Sequence, residues 1–376
     1  MTYLKTHLIY IILSLFIISC NEKQSTYSGL EINKFTSEYN NKPIQLSILR
    51  NKTMEVCITN FGCRIVSITV PDKHGIKRDV TLGFNSIEDY INKPSSFGAT
   101  IGRVANRIKN GKFILDNKEY ILPKNSGEHC IHGGNKGFQY KVFDIQEKSD
   151  SSVVMTYVSP DGEEGFPGEV RCKVTILLTD NNEIDIAYTA TTDKPTVINM
   201  TNHTFFNLDG DPSKNVSNYI LFVDADYYTP IDSSLITTGK IAPVEGTPLD
   251  FTKPRKIGEN INKRHEQLIY ANGIDHNYVL NNKGNIFKEC ANVYSPSTGI
   301  KLSVFTDEPG LQVYTANSLN GQITGKKNIK YNSRSAICLE TQHYPDSPNK
   351  AHWPSIVLRE NEKYTSRCIY KFSINE

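Results

Sequence analysis

Two neighbouring stretches, "VRCKVTILL" (170–178) and "EIDIAYTAT" (183–191), alternate apolar and polar residues and are joined by the turn residues "TDNN". A repeat of two is the spacing of a strand with one face buried, and a helix of 3.6 residues per turn would scatter the same apolar residues around its whole surface. The pair therefore predicts an antiparallel hairpin with Val170, Cys172, Val174 and Ile176 turned toward a core. Short runs of the same kind recur from about residue 44 onward. "GIKLSVFTDEPGLQVYTAN" (299–317) predicts two further strands around "DEPG", and "RCIYKFSI" (367–374) predicts a closing one. Helical signal is sparse, its best example being "SIEDYI" (86–91), where Ser86 and Asp89 resemble a capping box and Pro94 forbids continuation. With 24 Gly, 17 Pro and 20 Tyr, the chain predicts an all-β fold, one large antiparallel β-sandwich with a few short helices.

At 376 residues the chain is long enough to bury a large core, and without an internal repeat or low-complexity linker it predicts one domain over 32–376. The N-terminus has a different character. Lys5 precedes the apolar run "LIYIILSLFII" (8–18), which is short for a membrane span and ends in "IISC". An aliphatic residue, a small residue and then Cys20 resemble the lipobox of bacterial lipoproteins. The expectation is a signal peptide over 1–19, a lipid on Cys20, a polar tether over 20–31, and an exported, membrane-anchored protein.

The balance of 42 Lys and Arg against 40 Asp and Glu, a formal +2, comes with no basic block to follow a phosphate backbone, so nucleic acid is not an expected partner. Setting Cys20 aside leaves Cys57, Cys63, Cys130, Cys172, Cys290, Cys338 and Cys368, an odd number without C-x-x-C, several of them at buried-strand positions. No essential disulfide framework is expected.

Five dispersed segments combine ionisable or amide side chains with Gly or Pro: "GRVANRI" (102–108), "EHCIHGG" (128–134), "NMTNHTFFNL" (199–208), "GIDHNYVL" (273–280) and "ICLETQHYPDSPN" (337–349). His129 and His132 flank Cys130 at short spacing, but no further ligand pair accompanies them, and the Gly-Gly that follows points to close approach of backbone to a ligand. No metal is expected. G-x-S-x-G, the P-loop and the dinucleotide fingerprint are all absent. A mixture of histidine, carboxylate, arginine and amide suits a small neutral polyhydroxylated ligand, since it pairs with adjacent hydroxyls and supplies an acid and a base. Glu340 stands in the strand-like run "AICLETQ", where a lone charge is costly unless paired or used. Phe205, Phe206, Tyr344 and Trp353 offer ring faces to a sugar, although core packing is the commoner use of such residues.

Together with "SPDGEEGFPGEV" (159–170), "TDKPTVINMTNHTFFNL" (192–208), "YYTPIDSSLITTGKIAPVEGTPLDF" (227–251) and "EPGLQVYTAN" (308–317), these segments resemble the aldose 1-epimerases, the galactose mutarotase family, in that family's order. The resemblance implies a β-supersandwich and cofactor-free interconversion of the α and β anomers of a free aldose such as galactose or glucose. It implies Glu340 as general base and His203 as general acid, with Asn106, Arg107, His132, Asp275 and Gln312 contacting the sugar. One departure stands out: the family usually has asparagine three residues before the histidine of "HGG", and here that place holds His129, which leaves the support of His132 in question. The expected partner is a monosaccharide, the only membrane contact the lipid on Cys20, and the expected state a monomer.

A glutamate with an ordinary pKa near 4.3 is ionised at neutral pH, and a histidine near 6.5 is partly charged. The expectation is that neighbouring carboxylates raise the imidazole further and that the amides around His203 orient it. Two other readings use the same residues: a glycoside hydrolase acting through Asp275 and Glu340, and a carbohydrate-binding protein without catalysis.

Overall fold

The computed structural model describes residues 26–375; the apolar run at 8–18 and Cys20 lie outside the described residues. Nine strands form the largest sheet, and the expected hairpin lies within it. Val170–Leu178 and Glu183–Thr192 pair antiparallel from Val170 opposite Thr192 to Leu178 opposite Ile184. Val170, Cys172, Val174 and Ile176 are buried. The closing strand, Tyr364–Ile374, is central and pairs with Glu183–Thr192 on one side and Ile300–Thr306 on the other. Such a position keeps the last strand from being an unpaired edge.

A four-stranded sheet over residues 46–79 and a five-stranded sheet that includes Asp275–Val279, Gly310–Tyr314 and Cys338–Gln342 complete the main architecture. One cluster of buried apolar side chains joins all three sheets. It contains Val56, Ile58 and Ile65 from the first, Val174, Ile186 and Val304 from the second, and Leu311, Val313 and Leu339 from the third. The result is the expected antiparallel β-sandwich.

Seven short strands position the site: β1 (Ala99–Ile101), β2 (Arg107–Ile108), β3 (Cys130–Ile131), β4 (Thr201–His203), β5 (Asp275–Val279), β6 (Gly310–Tyr314) and β7 (Cys338–Gln342). β1 pairs with β4, β2 with β3, and β6 lies between β5 and β7. Because neighbours along a strand point to opposite faces, Leu311, Val313 and Leu339 enter the core while Gln312, Tyr314 and Glu340 face the other way. Glu340 is thus a polar residue on a polar face of a sheet whose other face is core.

The two strands expected around "DEPG" form, but in different sheets: Ile300–Thr306 in the nine-stranded sheet and β6 in the five-stranded one. The corner is tightly packed. A Cβ at Gly310 would come within 2.6 Å of Asn277 Oδ1 and 2.9 Å of the Gln342 carbonyl, and the buried Glu308 pairs with His343 Nδ1 at 2.5 Å. The helical signal at 86–91 is a one-and-a-half-turn helix, Ile87–Asn92, with Ser86 accepting from the Asp89 amide. At the other end of the expected tether, Thr26 and Leu30 are buried and the Tyr27 amide donates to Glu55 Oε1, so these residues are docked on the domain. All seven cysteines from Cys57 to Cys368 are buried free thiols.

Candidate active site

A cavity of about 480 Å³ opens beside the polar face of the five-stranded sheet, and Asn106, Arg107, His132, His203, Asp275 and Glu340 are among the residues lining it. Five chain segments, the earliest and latest more than two hundred residues apart, contribute these six side chains. Gln312 is the exception among the expected sugar contacts. It is buried behind the wall and its Nε2 donates to Asp275 Oδ1 at 2.6 Å, so it holds a lining carboxylate and does not itself line the cavity.

His203 ends β4, with its carbonyl accepting from the Gly98 amide at 2.9 Å. Its Nε2 lies 3.6 Å from Glu340 Oε2, and both side chains are buried. Rings fix the imidazole in place. Phe205 stacks on it at 4.9 Å between centroids and a 10° interplanar angle, while His132 and Tyr314 meet it edge-on at 5.1 and 6.3 Å. The expectation that neighbouring amides orient His203 is therefore corrected. Asn202 binds the Gly98 carbonyl and Thr204, and Asn199 binds the backbone of His343. Phe205, one of the rings offered to a sugar face, stacks on the His203 imidazole and also lines the cavity; Tyr314 has no role in the sequence reading, although its period-two spacing from Gln312 is a signal that it shares the face of the site.

Asn106 and His132 hold each other. The Asn106 amide donates to His132 Nδ1 at 3.2 Å, and the His132 amide donates to the Asn106 carbonyl at 3.1 Å. Both residues have positive φ, 59° and 52°, in a left-handed region that asparagine and histidine tolerate better than most side chains. With Nδ1 accepting, the neutral ring carries its proton on Nε2. Burial, helped by His203 and Arg107, lowers the His132 pKa well below its ordinary value, so His132 is a neutral donor.

The unusual His129 leaves this arrangement intact, because its own Nδ1 accepts from the Asn110 amide at 3.0 Å. His129 and His132 thus spend one ring nitrogen each on different backbone amides, and no metal pair forms between them. The Gly-Gly also proves structural. A Cβ at Gly133 would lie 2.0 Å from the Gly102 carbonyl oxygen, so the close approach is to backbone and not to a ligand. Among the other aromatic residues considered, Phe206 packs in the core with Tyr370, and Tyr344 packs edge-on against Trp353.

The electrostatics reverse the sequence expectation for His203. Burial pushes its pKa down to about 4. Burial and then the nearby Asp275 push Glu340 well above the usual carboxylate range, against the opposing pull of Arg107. Asp275 is also raised by burial, with Arg107 and Gln312 pulling it down. The expectation failed because it counted neighbouring charge and omitted the loss of water, which dominates here. Facing each other at 3.6 Å, the two groups offset part of that loss when a proton sits on the imidazole and not on the carboxylate. At this separation a single proton can serve both groups, on the imidazole or on the carboxylate.

The family model for aldose 1-epimerase matches residues 45–371. The chain belongs to the aldose 1-epimerase family. The galactose mutarotases of Bos taurus and Homo sapiens are each 42% identical to it over 327 residues, 87% of this chain and 93% of theirs. A crystal structure of an aldose epimerase homologue from C. elegans superposes with a TM-score of 0.83 at 30% identity, covering 89% of this chain and 100% of that one. Like the members of the family that it matches, this chain is an isomerase.

Proposed function

We propose that this aldose 1-epimerase interconverts the α and β anomers of a free aldose such as galactose or glucose, with Glu340 as general base and His203 as general acid. Glu340 takes the proton of the C1 hydroxyl while His203 protonates the ring oxygen. The C1–ring oxygen bond breaks to leave an open-chain aldehyde. Rotation about C1–C2 presents the other carbonyl face, and closure with the proton transfers reversed yields the other anomer. Each cycle returns both side chains to their starting protonation states, so no cofactor or net proton is required.

The observation that carries this reading is the 3.6 Å separation of His203 Nε2 and Glu340 Oε2 at the wall of the cavity. The two oxygens that exchange protons are bonded to the same carbon, so an acid and a base placed side by side suit them. A glycoside hydrolase instead uses two carboxylates about 5–9.5 Å apart flanking a glycosidic bond, and Glu340 faces an imidazole. Arg107, Asn106, His132 and Asp275 supply donors and an acceptor for the remaining hydroxyls. Polarimetry of freshly dissolved α-D-galactose and α-D-glucose tests the proposal: protein-dependent acceleration toward anomeric equilibrium supports it, and free sugar released from glycosides without that acceleration would refute it.

We further propose that the chain is an exported bacterial lipoprotein anchored through Cys20. The apolar run at 8–18 followed by "IISC" supports this. The expected outcome is lipid incorporation and membrane recovery of the wild-type chain, both lost in Cys20→Ala; equal membrane recovery of the two would oppose it.

A further inference from the structure

Cys338 stands two residues before Glu340 on β7, which puts both side chains on one face of the strand. His203 from β4 meets that face. One ligand atom from each of His203, Cys338 and Glu340 lies within 4.8 Å of the others, and among the described residues this is the grouping of three such side chains able to hold a metal ion. An imidazole nitrogen, a thiol sulfur and a carboxylate oxygen are the ligand types of zinc. Bonds of about 2.0–2.3 Å in a tetrahedron put neighbouring ligand atoms about 3.3–3.7 Å apart. The 3.6 Å between His203 Nε2 and Glu340 Oε2 already meets that spacing, and closing the widest gap takes about 1 Å, within reach of side-chain rotation.

Two further observations favour a ligand here. Glu340 Oε2, the carboxylate oxygen that faces His203 Nε2, is buried without a hydrogen-bond partner, although buried polar atoms are ordinarily paired. The cavity borders His203 and Glu340, giving a cation a route in and leaving a fourth coordination position open to water.

We propose that His203, Cys338 and Glu340 form an inhibitory site for a thiophilic divalent cation, zinc above all. As zinc binds, the Cys338 thiol proton and any proton held by Glu340 or His203 are released to solvent. The cation engages the lone pairs that Glu340 and His203 use in proton transfer, so bound metal and anomer exchange exclude one another. The inhibition rests on the mutarotase reading, whereas the binding does not.

The test uses the purified, metal-stripped full chain and its Cys338→Ala and Cys338→Ser variants. In polarimetry with galactose, zinc is expected to inhibit the wild type, magnesium and calcium are not, and a chelator is expected to restore the rate. Without metal the variants should keep the wild-type rate within a few fold. Their inhibition by zinc should be weaker by more than about tenfold, since even the outer partners of a metal ligand change affinity by about that factor. Cobalt provides a readout independent of turnover: a sulfur-to-cobalt charge-transfer absorption is expected in the wild type and not in Cys338→Ser. Zinc inhibition of equal strength in wild type and variants, or an active wild type indifferent to zinc, would overturn the proposal. Should the chain show no anomerase activity, the mutarotase reading fails, and the cobalt band alone then decides whether the site exists.

Discussion

His203 Nε2 lies 3.6 Å from Glu340 Oε2, although the two residues come from different β-sheets and are separated by more than a hundred positions in the chain. Each is buried and each has its charged form disfavoured by burial. Their proximity lets one proton serve both, which is the property an acid–base pair acting on one carbon requires.

Replacing either partner should therefore stop turnover without unfolding the protein. Glu340→Gln and His203→Asn are each expected to lower kcat by about two orders of magnitude or more, the usual worth of a positioned acid or base. Polarimetry alongside circular dichroism would check this. A rate within a few fold of wild type would remove that residue from its role.

The pH profile follows from the same pair. Below about 4 both His203 and Glu340 carry protons and no base remains; above the raised pKa of Glu340 neither does and no acid remains. The dependence of kcat/KM on pH should be a bell, rising through about pH 4 and falling in a limb displaced well above the usual carboxylate range. These limbs belong to the coupled pair. An alkaline limb that persists unchanged in the residual activity of Glu340→Gln would contradict the assignment.

Gln312 lies behind the cavity wall, and its Nε2 donates to the lining carboxylate Asp275 at 2.6 Å. Hydrogen bonds to a charged group contribute about 1.5–3 kcal/mol. Gln312→Leu should accordingly raise KM by about tenfold or more, with a smaller change in kcat. An unchanged KM would show that Asp275 needs no such support.

A stability prediction lies away from the cavity. Lys326 Nζ is buried and reaches Asp79 Oδ2 at 2.6 Å, the Val66 carbonyl at 2.8 Å and Thr81 Oγ1 at 3.0 Å. Lys326→Met leaves the Asp79 carboxylate buried without its cation and should cost about 3–5 kcal/mol. Adding Asp79→Asn should recover part of that loss, as urea denaturation of the three variants would show.

The strands were legible where one face meets the core and the other does not, as at Val170, Cys172, Val174 and Ile176. The sheet switch at "DEPG" was not, because alternation records which residues are buried and carries no information about which sheet buries them. Gly133 was recognised as a point of close approach, yet its neighbour proved to be the Gly102 carbonyl, more than thirty positions earlier. Gln312 was recognised as part of the site, and only its contact with Asp275 showed that it supports the wall.

What the sequence by itself determined is the inventory: the alternating faces, the family pattern, and the residue types that can serve as acid, base and hydroxyl partners. Which of them touch, and where the proton resides, was decided by the tertiary structure. Residue identity sets an intrinsic pKa, but desolvation and neighbouring charge are sums over everything nearby in space. For His203 that surrounding comes from Phe205, two residues further along the chain, and from His132, Tyr314 and Glu340, side chains that the fold alone brings to it.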